Sequence, residues 1–335
     1  VTDFYVGGYS PDAGGQATGI SRARSYPDGT FELLGVAAEV ESPSWLIAAG
    51  GIVHAALEAS SQLASFRVTA HGLELLSKVP AGGQYPCHLG ISGGALLAAC
   101  YGDGVVAVHE LDERGAIVGL RQAIPGAGSG PLEAQEGPHA HTVHPLADGR
   151  VLSVDLGADR LHVHEWQGEL LVRIDTVALP PGTGPRDLLM LPGGALALLG
   201  EWSCELLMLE PVGDAFEVGQ ILTLPGATVG TDQAAALALS DDGRHLYAGI
   251  RGADRVAIVA LDPDGARGAG WVPSGGEWPR HLVVDGELLH VANQRTSSVA
   301  TFRIAADGSL GQLSTAQIAS PTHLLAVAGG GQEHS

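Results

Sequence analysis

Trp278-Pro279-Arg280-His281-Leu282-Val283-Val284 opens a unit that continues with Leu288-Leu289-His290-Val291-Ala292-Asn293 and Ser298-Val299-Ala300-Thr301-Phe302-Arg303-Ile304. Each run has the length of a strand, and Gly286 and Ala306-Asp307-Gly308 supply tight turns between runs and before a fourth segment at Leu310. The opening recurs as Ser42-Pro43-Ser44-Trp45-Leu46, Tyr85-Pro86-Cys87-His88-Leu89, Gly137-Pro138-His139-Ala140-His141, Gly184-Pro185-Arg186-Asp187-Leu188 and Ser320-Pro321-Thr322-His323-Leu324. A degenerate copy, Thr231-Asp232-Gln233-Ala234, fills the one double gap. The spacing therefore predicts seven units of four strands each, the pattern of an all-β, seven-bladed β-propeller. No long segment carries a capped helical period.

The ends of the chain predict how the ring closes. Thr322–Ala328 reads as a first strand with nothing after it, and Phe4–Tyr9 as a second strand with nothing before it. Ile20–Tyr26 and Phe31–Ala38 follow as third and fourth strands. The last blade is thus expected to combine one C-terminal strand with three N-terminal ones, leaving no free sheet edge. Residues 1–335 then form a single domain, expected to be a monomer or a weak homo-oligomer.

Composition narrows the partners. Acidic residues outnumber basic ones 37 to 17 for a formal charge of -20, and Lys78 is the lone lysine. Such a surface repels phosphate backbones, which argues against nucleic acid. Cys87, Cys100 and Cys204 have no ligand spacing and read as buried thiols in a reducing compartment. No long apolar run or basic-then-apolar leader points to a membrane or export, so a cytoplasmic protein is expected.

In a propeller the innermost strands line a central channel, and the residues just after each repeated proline lie near its mouth. These are Trp45, His88, His139 and His141, Arg186 and Asp187, Arg280 and His281, and His323. The ends of the second strands add Tyr9, Glu58, Tyr101, Asp155, Glu201, Arg251 and Asn293-Gln294. Superposed repeats bring both sets to one mouth, with Trp45, Trp202 and Trp278 as walls. Paired arginines can grip a carboxylate or phosphate, or a carbonyl gaining charge, and histidine can move a proton at neutral pH. His139, Arg186, Glu201 and Arg280 depart from the repeat by chemistry and are the catalytic candidates. His88, His141, Arg251, His281 and Asn293 are candidate substrate contacts. The recurrence of His88, His281 and His323 at one blade position also suits packing between blades. His109, His162 and His164 alternate along third strands and read as exposed-face residues. No GxSxG elbow, legible cysteine–histidine arrangement or nucleotide loop is present, and the arginines near His139-x-His141 disfavour a cation there, so neither cofactor nor metal is expected.

Taken together, Tyr5-Val6-Gly7-Gly8-Tyr9, Gly137-Pro138-His139-Ala140-His141, Gly184-Pro185-Arg186, Trp278-Pro279-Arg280 and Val291-Ala292-Asn293-Gln294 make the chain resemble the seven-bladed lactonase family. That family includes bacterial 6-phosphogluconolactonases and fungal 3-carboxymuconate cyclases. The resemblance implies metal-free lactone chemistry at one mouth of the propeller, acting on a small anionic lactone or carboxylate. It assigns a histidine, two arginines and a glutamate to positions matched here by His139, Arg186, Arg280 and Glu201. Asp187 replaces the family's usual histidine, Gly200 its asparagine, and Gly249-Ile250-Arg251 its Ser-Asn-Arg. The charge layout is equally that of a lactonising cyclase or of a propeller that binds an acidic ligand.

Overall fold

The computed structural model describes residues 1–213 and 215–327. Among them are seven four-stranded antiparallel sheets. Six come from consecutive stretches, 43–80, 86–124, 140–178, 185–223, 233–273 and 279–317, numbered here as blades 1 to 6. Blade 7 orders Pro321–Val327, Thr2–Gly8, Gly19–Ser25 and Phe31–Glu39, so one strand from the C-terminal side and three from the N-terminal side close the ring. This is the seven-bladed β-propeller that the repeats predict. Ala328, the expected last residue of the closing strand, lies outside the described residues.

Burial follows strand position. Second strands such as Ile52–Leu57, Ala95–Cys100 and Leu288–Asn293 are buried along their whole length, because both faces meet neighbouring blades. Outermost strands such as Ala215–Thr223 and Leu310–Gln317 are mostly exposed or half-exposed. The core is consequently not one mass but seven wedges, each filling the cleft between two adjacent blades. Leu199, Leu206 and Met208 meet Leu246, Ile250 and Val259 in one, and Phe4, Val6 and Phe31 meet Ala292 and Val299 in another.

The third-strand histidines differ from expectation. His109, His162 and His164 are buried, not exposed, because third strands also lie inside these wedges. His162 Nδ1 stands 2.9 Å from Thr176 Oγ1, His164 Nε2 2.8 Å from Ser153 Oγ, and His109 Nε2 2.9 Å from the Ala81 carbonyl. Each thus braces neighbouring chain segments with a satisfied hydrogen bond.

One irregularity repeats in every blade and places the site. Pairing of the first strand with the second slips by one residue directly after its start, leaving Ser44, Cys87, His141, Arg186, Arg280 and Thr322 as bulged residues. In blade 5 the slip spans Ala235 and Ala236. A bulge re-aims its side chain and sharpens the local twist. Before five of these bulges the chain turns through a left-handed residue: Ser42 (φ 41°), Tyr85 (53°), Gly184 (58°), Trp278 (66°) and Ser320 (39°).

Candidate active site

The bulges correct the alignment of the repeats. Pro43, Pro86, Pro185 and Pro279 each pair with the last residue of the second strand, and in blade 3 that place is taken by Ala140, opposite Asp155. Pro138 is therefore two residues out of frame. His141 is the true counterpart of Arg186 and Arg280, while His139 matches the residue before the proline. The amide of Leu156 accordingly donates to the His139 carbonyl, as Glu58 does to Ser42 and Glu201 to Gly184. By the same register the second-strand positions that converge are Tyr9, Glu58, Tyr101, Leu156, Glu201, Arg251 and Gln294.

Those two registers build a cavity of about 190 Å³ at one end of the channel. Its wall comprises Cys87, His141, Arg186 and Arg280 from the bulges and Tyr9, Glu58, Tyr101, Glu201 and Arg251 from the second-strand ends. Glu201 Oε2 lies 2.8 Å from Arg186 Nε and 3.0 Å from Arg251 Nη2, and all three side chains are buried. Arg186 also reaches the Ala235 carbonyl, and Arg251 Nη2 donates to the Ala234 carbonyl at 3.1 Å. On the other side Arg280 Nη2 donates to the Tyr9 hydroxyl at 2.6 Å. Tyr9 is aimed in turn at Glu58, 2.8 and 2.9 Å from its two oxygens.

Three guanidiniums thus face two carboxylates in a chain whose overall charge is strongly negative, so the wall keeps a net positive charge suited to an anion. Burial drives the His141 pKa well below that of a free imidazole, and Arg186 and Arg280 reinforce the shift, so this histidine is neutral at physiological pH. Burial also pulls Arg251 down to about 10, against the opposing pull of Glu201. At Arg280 burial works in the same direction, but Tyr9 and the two glutamates outweigh it and raise the pKa. Burial pushes the Tyr9 phenol and the Cys87 thiol upward, so both keep their protons.

Of the four catalytic candidates, Arg186, Glu201 and Arg280 meet on this wall, and His139 does not. Its ring stacks on Tyr101 with centroids 4.5 Å apart, and Nδ1 lies 2.7 Å from the Tyr101 carbonyl. It stands behind the cavity wall. Among the substrate-contact candidates, His141 and Arg251 line the cavity, whereas His88, His281 and Asn293 do not. His88, His281 and His323 pack with Trp45 in a stack of rings, centroids 4.0 Å apart for Trp45–His88 and 4.2 Å for His281–His323. That accounts for their recurrence and removes Trp45 from the cavity wall. Asn293 is fully buried and donates from Nδ2 to the Ser274 carbonyl at 2.9 Å, bracing a loop. Asp155 accepts the amides of His139, Gly157 and Ala158, which makes it a turn-former. Tyr9 and Glu58 occupy the register place of Glu201, a signal available once one such position is trusted. Among the described residues no three His, Cys, Asp or Glu side chains stand together at metal-binding distance.

A ring of seven blades with an arginine-rich polar cavity at one mouth defines the class, and comparison with known proteins specifies it. The family model described as Lactonase, 7-bladed beta-propeller matches residues 3–326, and the chain belongs to that family. The chain is 29% identical to the 6-phosphogluconolactonase of Bacillus subtilis over 231 residues, 66% of each chain and so just under two thirds of the relative's length. A 6-phosphogluconolactonase of Formosa agariphila is 26% identical over 75% of this chain and 76% of its own. The periplasmic gluconolactonase PpgL of Pseudomonas aeruginosa superposes with a TM-score of 0.91 at 27% identity, covering 98% of this chain and 99% of that one.

Proposed function

We propose that the cavity hydrolyses the δ-lactone of a sugar acid, with or without a 6-phosphate, by a metal-independent route. The observation that carries this reading is the convergence of Arg186, Arg251 and Arg280 on a small cavity that also holds a neutral imidazole. Ester hydrolysis builds negative charge on the carbonyl oxygen, and donors fixed in a partly dehydrated site stabilise that charge without reorganising. Arg280 suits this role best. Among the described residues its one hydrogen bond is to Tyr9, so its other N–H groups are free to meet substrate. Arg186 adds charge beside it. Arg251, also on the wall, suits the substrate's anionic group, and Glu201 fixes Arg186 and Arg251 in place. Neutral His141 can exchange a hydrogen bond with a ring hydroxyl. At about 190 Å³ the cavity is smaller than the roughly 300–1,000 Å³ of sites for drug-sized ligands, which favours one monosaccharide ring.

The test is hydrolysis of glucono-δ-lactone and freshly made 6-phosphoglucono-δ-lactone, corrected for spontaneous opening, with and without chelator. Arg280→Ala and Arg186→Ala should each lower kcat/KM by about 10²–10³-fold. His141→Gln should cost more activity than His139→Gln. A wild-type rate indistinguishable from background on both lactones would remove the lactonase reading, and a rate abolished by chelator would remove its metal-free form. A strong preference for either substrate would decide whether the phosphate belongs to it.

A further inference from the structure

Two carboxylates line the cavity, and the fold treats them differently. Glu201 is held between two guanidiniums at 2.8 and 3.0 Å. Glu58 occupies the same register place three blades away in a ring of seven, and so sits nearly across the mouth. Its nearest guanidinium nitrogen, Arg280 Nη2, is 3.9 Å off, beyond hydrogen-bond range. What holds Glu58 is the Tyr9 hydroxyl, 2.8 and 2.9 Å from its two oxygens and itself fixed by Arg280. One phenolic proton centred on a carboxylate leaves acceptor capacity on both oxygens. The side chain of Glu58 is 17% exposed, against 9% for Glu201.

The other protic groups on the wall are poorly placed to take a proton. His141 is buried beside Arg186 and Arg280, whose charges oppose its taking a proton. Cys87 is a buried thiol, and Glu201 is engaged by its two arginines.

The geometry points to Glu58 as the base that removes a proton from the attacking water, with Tyr9 as its positioning residue. This role rests on the lactonase reading and supplies the base which that reading leaves unassigned. Water oxygen bonds to the lactone carbonyl carbon while one water proton passes to Glu58. The carbonyl π pair moves onto oxygen, giving a tetrahedral oxyanion that Arg280 and Arg186 stabilise. Collapse restores the carbonyl and breaks the bond to the ring oxygen, which takes the proton from Glu58 and leaves as the new hydroxyl. The acid product then gives its proton to bulk water, and Glu58 is ready for a second turnover.

Initial rates on glucono-δ-lactone with the full chain test this. Glu58→Gln and Glu58→Ala should lower kcat by about 10²–10⁴-fold, the range for loss of a general base, with KM changed by less than about threefold. Formate or acetate should restore at least about tenfold of the lost rate to Glu58→Ala and little to Glu58→Gln, whose amide fills the space. Tyr9→Phe should lower kcat by about tenfold with KM unmoved. Binding of gluconate to both Glu58 variants, followed by calorimetry, reports that the site is still assembled. Wild type inactive on this lactone and its 6-phosphate would overturn the lactonase reading itself. Active wild type with Glu58→Gln within about threefold of its kcat would overturn the base alone. So would a Glu58→Ala variant that binds gluconate but ignores both carboxylates.

Discussion

Glu201 sets the spacing of the two guanidiniums on one side of the cavity, and its removal should be felt in stability before activity is assayed. Glu201→Gln leaves Arg186 and Arg251 buried side by side without their counter-charge. Loss of one partner from a buried ion pair costs about 3–5 kcal/mol, which urea denaturation would read as a lower midpoint with unchanged slope. Phosphate or sulfate bound in the adjoining cavity, which Arg186 and Arg251 also line, should restore part of that loss, and chloride should restore less. If Glu201→Gln unfolds at the wild-type midpoint, the carboxylate is not the counter-charge described. At this scale the sequence was informative wherever a motif pinned a residue. Arg186, Glu201 and Arg280 were legible from GPR, Gly-Glu and WPR. The histidine pair was legible but not which member faces the cavity, because Pro138-His139 imitates the repeated opening while the register starts at Ala140. Glu58 carries no local motif, and the motif that ends in Tyr9 does not reveal what its hydroxyl meets. Their partnership spans 49 residues of sequence and two blades, and only the ring brings them together.

Among the elements, the strand pattern was legible and the bulges were not. A run of four to seven apolar residues between glycine turns announces a strand. One inserted residue at its start leaves that run intact, so hydrophobic periodicity is blind to it. The bulge nevertheless decides which side chain enters the cavity. Glycine at position 7 tests how tightly these joints are built. A β-carbon placed there would lie 2.3 Å from the Pro43 carbonyl oxygen of the next blade, so backbone would have to move. Gly7→Ala should therefore destabilise by about 1–3 kcal/mol, the range for overpacking, and lower the thermal midpoint. Gly35→Ala is not an equivalent control, since Gly35 has a φ of 125°. Gly119, with open space around its would-be β-carbon and no unusual φ, is the proper one. Wild-type stability in Gly7→Ala would show that the joint between blades 7 and 1 has slack. The buried histidines were also misread at this level, because alternation alone does not reveal that a third strand is covered on both faces.

Across the whole molecule the buried imidazoles make stability depend on pH. Burial lowers His88, His162 and His281 to about 3 and His54 and His164 to about 4. The unfolded chain takes up protons on these groups near pH 6.5, whereas the folded chain resists until well below that. Stability from this source is complete above about pH 6.5 and is lost as the pH falls toward 4. Asp155 and Asp187, whose carboxyls burial pushes up, act in the opposite sense but are outnumbered. Urea midpoints measured from pH 7 to pH 4 should fall steadily. Replacing His88 and His281 by phenylalanine should flatten the slope by up to about 1.4 kcal/mol per pH unit for each histidine removed. An unchanged slope would mean that these rings are charged inside the fold.

Ring closure has a temporal side. The strand Pro321–Val327 pairs with Thr2–Gly8, so the earliest strand made waits for the latest of those described. Until the ribosome has delivered residue 327, every nascent chain carries an unpaired first edge, the kind of surface that recruits other strands. The final strand therefore acts as a completion signal, and a chain truncated before it should be recognised by proteases and chaperones as unfinished even with six blades already folded.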